Sequence, residues 1–164
     1  MNETRYVDPA HFLKSFFVVI FLYVFLFTTL LLSMWGISRI RFPRIFELWG
    51  DQDEFAKVWE NQPELLFPTE LCLWLIAACA LISIFVGLQV AFWAPFSKAG
   101  HGVFLSILSI VTFLQMAITE PKFPKWMMMA MLVSSAILIV VASRFGERWF
   151  SAPPEPEEVI DEPS

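Results

Sequence analysis

The sequence predicts an all-α integral membrane protein with four transmembrane helices, and three observations support this fold class. Four stretches are almost free of charge, at residues 15–38, 71–97, 103–119 and 126–143. Each is close to the roughly 18 to 20 residues that a helix needs to cross about 30 Å of hydrocarbon. The chain is 57% apolar, with 18 Phe and 7 Trp, above the roughly 45 to 50% of soluble domains. The remaining polar chain is too short to cover four such helices in water.

The first span, at residues 15–38, is expected to remain in the protein as a membrane helix. It ends in Trp35 and Gly36 and is followed by Arg39, without the small residues of a signal-peptide cleavage site. Its many Phe and Val side chains favour lipid contact over tight helix packing, because small residues are what lets membrane helices approach closely.

The loop at residues 39–70 contains two predicted short amphipathic helices. Pro43 suits a first helical turn, Gly50 a helix end, and Asp51 with Glu54 a capping box at the start of the second helix. Helical spacing puts the apolar residues on one side of each helix, which we predict to be an interfacial aromatic face: Phe42, Ile45, Phe46, Trp49, Phe55 and Trp59. These helices either lie in the headgroup plane, with that face towards the hydrocarbon, or pack on the ends of the spans.

The second span carries the clearest packing signal. Cys79, Ser83, Gly87 and Ala91 are spaced by four, which predicts a helix-packing face of small residues that another backbone can approach. Gly87→Leu is therefore expected to destabilise the protein, and Val86→Leu to do much less. Because the linker at residues 97–102 is short, the second and third spans are expected to be antiparallel neighbours.

The last two spans and the C-terminal segment complete one predicted domain, residues 1–152, and a disordered acidic tail, residues 153–164. The fourth span opens with a run of methionines whose flexible side chains favour a packing role over copper binding: Met127, Met128, Met129 and Met131. The tail contains five acidic residues and no basic one, so it accounts for the whole net charge of −5. No basic surface is left that would favour nucleic acid.

The sequence predicts no catalytic, cofactor-binding or metal-binding residues. No Asp, Glu, Lys or Arg lies deep in a span, where such a group would be a functional candidate. His11 and His101 fall on the same predicted side of the membrane, but without a ligand spacing they are expected to be surface residues. The loop carboxylates are expected to form solvated faces: Glu47, Asp51, Asp53, Glu54, Glu60 and Glu64.

From these features we expect a non-catalytic accessory or structural subunit of a membrane assembly. Its partners would be the lipid bilayer and either another membrane protein or further copies of this chain. Two alternatives stay open: a transport or permeation protein that works as an oligomer, and an interfacial membrane enzyme that uses the loop carboxylates. The expected location is the bacterial cytoplasmic (inner) membrane, with both termini in the cytoplasm. This orientation rests on the acidic tail and loop, since cationic residues are nearly balanced on the two sides.

Overall fold

The structure is a computed structural model that describes residues 9–94, 97–120 and 122–150, with side chains from Leu13 onward. These residues form six α-helices and one 3₁₀ turn, with no strand among them. The helices are α1 (Pro9–Arg41), α2 (Pro43–Gly50), α3 (Gln52–Asn61), α4 (Thr69–Trp93), α5 (Lys98–Thr119) and α6 (Lys125–Phe150), and the turn is Pro63–Leu65. The tail at residues 153–164 lies outside the described residues, so its disorder stays a prediction.

Four of these helices are long and apolar enough to span a membrane: α1 from Leu13, α4, α5 and α6. The predicted all-helical fold with four candidate spans is therefore confirmed. Since lipid offers no partner to a free backbone N–H or C=O group, a bundle of continuous helices satisfies these segments internally.

The helix ends differ from the ends of the charge-free stretches. α1 continues to Arg41, α5 begins at Lys98 and α6 runs to Phe150, because cationic side chains can extend into the headgroup layer while their backbone stays helical. α4 instead ends early, at Trp93. Ala94 has an extended backbone (φ −66°, ψ 127°), which is the conformation that a following proline such as Pro95 favours.

The packing order refines the expectation that the second and third spans are antiparallel neighbours. α4 packs most extensively on α6, and α5 also packs mainly on α6, whereas α4 and α5 make only limited contact. α1 packs on α4 and, less extensively, on α5. The short linker fixes the antiparallel direction of α4 and α5, but contacts along their length depend on side-chain shape, and α6 fits better against both.

The buried side chains form two clusters at different levels of the bundle. The cluster nearer the 39–70 loop contains Phe67, Leu75, Phe113 and the buried methionines of α6. The other contains Leu22 and Leu26 of α1, Val86 and Val90 of α4, and neighbouring residues of α5 and α6. α1 contributes large side chains to both clusters, so it contacts the other helices through bulk rather than through close backbone approach.

Candidate functional site

The predicted helix-packing face of α4 lies against α6 of the same chain. Cys79, Ser83, Gly87 and Ala91 are all buried. A Cβ atom added to Gly87 would lie 2.6 Å from the backbone O of Ile139 and 2.7 Å from the Cβ of Ala142. Such distances leave no room for a side chain. The two helices are therefore in close backbone contact, and this face is not available to a partner protein.

α6 supplies a reciprocal set of small residues that the sequence analysis did not identify. A Cβ on Gly146 would lie 2.6 Å from the Cβ of Ala91, and a Cβ on Gly102 of α5 would lie 2.8 Å from that of Ser143. Ala142 and Gly146 are four residues apart, so the same spacing rule that identified the α4 face could have found them. α6 is thus held between close contacts with α4 and with α5.

Val86, where a larger side chain is expected to do much less than at Gly87, is also buried. It is 0% exposed and belongs to the cluster shared with Leu22 and Leu26 of α1. α4 is buried on two sides, against α6 through its small residues and against α1 through its larger ones. A substitution of Val86 therefore perturbs the core as well.

The 39–70 loop folds over the end of the bundle as a cap, by which we mean α2, α3 and the Pro63–Leu65 turn. Ile45 is buried, and the other residues of the predicted interfacial aromatic face are partly buried: Phe42, Phe46, Trp49, Phe55 and Trp59. All except Phe46 pack on the cluster that contains Phe67 and Phe113, and the Phe46 ring lies 5.6 Å from that of Trp35 of α1. This geometry favours packing on the span ends over insertion of a free face into lipid.

Aromatic rings join the cap to the turn before α6. The centroid of the Trp59 ring lies 5.8 Å from that of Phe55, 6.1 Å from that of Phe67 and 5.6 Å from that of Phe123. The Lys122 ammonium lies 5.7 Å from the Trp59 ring centroid, within reach of a cation–π interaction. Trp59 therefore connects α3 to the segment before α4 and to the turn before α6.

The loop carboxylates point away from this apolar cluster. Glu47, Asp51, Asp53, Glu54, Glu60 and Glu64 are all exposed. The Oδ1 atom of Asp51 accepts hydrogen bonds of 3.1 Å from the backbone N–H groups of Asp53 and Glu54, which caps α3. The Asp51 N–H donates to the carbonyl of Leu48 instead of to Glu54, so only one half of the predicted capping box forms. The arrangement has the chemistry of a solvated surface.

Some polar side chains of the spans form hydrogen bonds between helices. The hydroxyl groups of Tyr23 in α1 and Thr112 in α5 are hydrogen-bonded to each other, and the Ser106 hydroxyl of α5 donates to the carbonyl of Ala136 in α6 at 3.1 Å. Gln89 accepts a 2.8 Å hydrogen bond from the Trp93 indole N–H at the end of α4. The first two bonds link different helices and so fix how these helices pack, whereas the Gln89–Trp93 bond lies within α4.

The two histidines cannot be compared directly, because the side chain of His11 lies outside the described part of the chain. His101 is buried at the start of α5, with its Nδ1 atom 3.0 Å from the carbonyl oxygen of Ser97. Within the described residues, no group of three or more His, Cys, Asp and Glu side chains is placed to hold a metal ion.

An apolar cavity of about 250 Å³ lies between α1 and the other three spans. We call it the methionine cavity, because Met34, Met116, Met127, Met128 and Met131 contribute to its walls. The run of methionines at the start of α6 divides accordingly. Met127, Met128 and Met131 are buried at the cavity, whereas Met129 is exposed on the lipid side.

A second recess, which we call the α1–α4 groove, faces the lipid side of the bundle. It has a volume of about 420 Å³ and is lined by Ser33, Gly36, Ile37, Ile40, Arg41, Trp74 and Ala78. A Cβ atom on Gly36 would meet nothing within 4 Å. At the loop end of the groove, the Arg41 guanidinium lies 5.4 Å from the Trp74 ring centroid. Small residues thus lie partly exposed in a concave surface at membrane depth.

Comparison with protein-family models, with curated proteins and with solved structures gives no match to this chain.

Proposed function

We propose that this protein is a non-catalytic accessory or structural subunit of a membrane assembly, and that it receives a transmembrane helix of its partner in the α1–α4 groove. The observation that carries the proposal is the groove itself. Ser33, Gly36 and Ala78 are small, partly exposed residues in a concave lipid-facing surface, and Gly36 has open space where a Cβ would be.

Helix association inside a bilayer supports this assignment. Lipid tails are as apolar as leucine, so helices associate there through close van der Waals packing and interhelical hydrogen bonds rather than through the hydrophobic effect. A groove with small residues at its base lets a partner backbone approach closely. The chain uses the same principle internally, where Gly87 and Gly146 bring α4 and α6 together.

The α1–α4 groove takes the role that the sequence suggested for the small-residue face of α4. That face is covered by α6, so a partner helix must bind elsewhere. In the groove, the exposed Ile40 and the Arg41–Trp74 pair stand at the headgroup level, where aromatic and cationic residues favour the interface. A partner helix would be held at a fixed depth by these residues.

The proposed setting is the bacterial cytoplasmic (inner) membrane, with both termini in the cytoplasm and the cap on the outer face. Four spans put both chain ends on one side of the membrane. The cap presents an acidic outer surface that includes Glu54 and Glu60, which suits the outer face because cytoplasmic loops are enriched in Lys and Arg.

Copurification from the native membrane tests the proposal. A tagged chain is extracted in mild detergent and its partners are quantified by mass spectrometry, for the wild type, for Gly36→Leu and for Val24→Leu. Val24 is also on α1 and is 54% exposed, but it lies outside the groove. We expect one membrane protein in stoichiometric amount, its recovery lowered about tenfold by Gly36→Leu, or about 1.4 kcal/mol, and unchanged by Val24→Leu.

Two results would contradict the proposal. Absence of any stoichiometric membrane protein would exclude an accessory subunit, and equal recovery with the two variants would exclude the groove. If the copurifying partner is a second copy of the chain and the reconstituted oligomer conducts ions, the alternative of an oligomeric permeation protein replaces the accessory function.

A further inference from the structure

We infer that the methionine cavity holds part of one acyl chain of a membrane phospholipid, which enters sideways from the bilayer between α1 and α5. This inference concerns a surface separate from the α1–α4 groove and does not depend on the proposed function. The walls of the cavity contain only apolar side chains from all four spans and from Phe67 and Phe123 of the loops.

The volume of the cavity is large enough for part of a hydrocarbon chain. At about 250 Å³, it exceeds the engineered apolar cavity of about 150 Å³ that stays dry and binds benzene or xenon. Well-packed protein interiors have few voids larger than a water molecule. An apolar space of this size in contact with a bilayer is therefore expected to contain hydrocarbon.

The exposure of the lining residues shows where the cavity opens. The side chains deep in the cavity belong mainly to α4 and α6 and are nearly inaccessible, as at Leu75, Met127 and Met128. In contrast, Leu31 of α1 is 65% exposed, and Met116 of α5 is partly exposed. The mouth therefore lies between α1 and α5, on the surface that contacts lipid.

The cavity follows from the difference between the helix contacts. α6 meets α4 and α5 through Gly87, Gly102 and Gly146, which allows close backbone approach. α1 meets its neighbours through large rings, with centroid distances of 5.5 Å for Phe27–Phe113 and 6.0 Å for Phe25–Phe85. Because these rings hold α1 further from the bundle, space remains beside them.

The chemistry of the walls selects the occupant. Water would find no hydrogen-bond partner there, since a buried water needs two to four polar groups. A quinone ring would lose the hydrogen bonds of its carbonyl groups, at a cost of about 1 to 3 kcal/mol for each unsatisfied polar group. A plain hydrocarbon chain has no hydrogen bond to lose on entry, and the flexible methionine side chains can adapt to its shape.

Cationic and aromatic side chains lie where the headgroup of such a lipid would be. Met34 precedes Arg39 by about 7.5 Å along α1. The Arg39 guanidinium lies 5.2 Å from the Trp35 ring centroid, and Lys122 stands beside Trp59. An acyl chain that reaches the cavity from this side of the bilayer keeps its phosphate near these cations. The phospholipid whose acyl chain enters the cavity is therefore expected to have an anionic headgroup.

Photolabelling of the full chain tests this inference. The protein is reconstituted into vesicles of phosphatidylethanolamine and phosphatidylglycerol, with a phosphatidylglycerol probe that carries a diazirine in its acyl chain. We expect labels at Met127, Met128 and Met131, which are buried in the bundle. Met116→Trp should fill the mouth and lower this labelling about tenfold, or about 1.4 kcal/mol. Met129→Trp, at a 50% exposed position, should leave the labelling unchanged.

The controls decide between the possible outcomes. Circular dichroism verifies that Met116→Trp folds, and if it does not, the smaller Met116→Phe is expected to give a partial decrease. Labelling confined to lipid-facing residues such as Val133 and Val141 would show that no acyl chain enters the cavity. Labelling of the cavity by a diazirine-bearing polyprenyl probe but not by the phospholipid probe would also overturn the inference.

Discussion

At the residue scale, identical residue types have opposite roles that depend on their neighbours. Gly87 and Gly36 both lie inside transmembrane helices. A Cβ on Gly87 would clash with the backbone of α6, whereas a Cβ on Gly36 would meet nothing within 4 Å. Glycine inside a helix is otherwise unfavourable by about 0.5 to 1 kcal/mol relative to alanine. Close contact with α6 explains why a glycine stands at position 87. Contact with a partner helix would explain the glycine at position 36 in the same way.

Gly87→Ala is therefore expected to destabilise the isolated protein by about 1 to 3 kcal/mol, because the new methyl group must push α4 away from Ile139 and Ala142. The midpoint of thermal unfolding in detergent measures this effect. Gly36→Ala is the matched control and should be neutral or stabilising by up to about 1 kcal/mol. Equal shifts for the two variants would show that α4 and α6 are not in close contact.

Ser106→Ala should remove the hydrogen bond between α5 and the Ala136 carbonyl of α6. Interhelical hydrogen bonds in membrane proteins contribute about 0.6 kcal/mol on average, so we expect a small loss of stability in the same thermal assay. Thr119→Ala serves as the control, because the exposed Thr119 hydroxyl donates only to the Gln115 carbonyl of its own helix. A larger loss for Thr119→Ala would contradict this assignment.

At the element scale, the cap shows how short helices are stabilised by the bundle. α2 and α3 are too short to be stable alone in water, since isolated helices below about 12 to 15 residues are marginal. Three kinds of contact stabilise them. Their apolar faces pack on the end of the bundle, the Asp51 side chain caps α3, and the Trp59 ring contacts neighbouring rings. The stability of the cap is thus a tertiary property.

Trp59→Ala is expected to loosen the cap while the spans stay folded, because it removes ring contacts with Phe55, Phe67 and Phe123. Hydrogen exchange followed by mass spectrometry should show faster exchange in α3 and little change in α4 and α6. Trp149→Ala, at a 73% exposed position of α6, is the control and should leave α3 unchanged. Unaltered exchange of α3 in Trp59→Ala would show that other contacts hold the cap.

At the scale of the whole molecule, the bundle is asymmetric. α4, α5 and α6 form a closely packed unit around small residues, whereas α1 is attached through bulky rings and borders both the α1–α4 groove and the methionine cavity. The two binding places proposed above, one for a partner helix and one for a lipid chain, therefore both involve α1. The chain thus combines close backbone contacts made by α6 with one helix that packs through large side chains.

Cysteine labelling in intact cells checks the proposed orientation. Cys72 and Cys79 are fully buried, so they should give little background. We expect Ser164→Cys to resist a membrane-impermeant maleimide until the cells are permeabilised, because the termini are proposed to be cytoplasmic. Glu60→Cys, on the exposed face of the cap, should react at once. The opposite labelling pattern would reverse the topology.

The sequence by itself determined the number of candidate spans and the helical class. The hydropathy of a segment depends only on its own residues and not on which helices pack together. It also predicted the packing face around Gly87 and the apolar sides of the loop segments from helical periodicity. Both are properties of one segment and its immediate neighbours in the chain. The three-residue spacing of Asp51 and Glu54 likewise predicted that Asp51 caps α3.

Only the tertiary structure decided which helices pack together. The short linker suggested that α4 and α5 are neighbours, but α6 packs more extensively against both. The burial of Val86 in the cluster with Leu22 and Leu26 also depends on contacts between helices. The α1–α4 groove and the methionine cavity likewise depend on contacts between distant residues such as Phe27 and Phe113. Hydropathy assigns each helix to the bilayer, whereas the fit of side chains from different helices fixes their arrangement and the spaces between them.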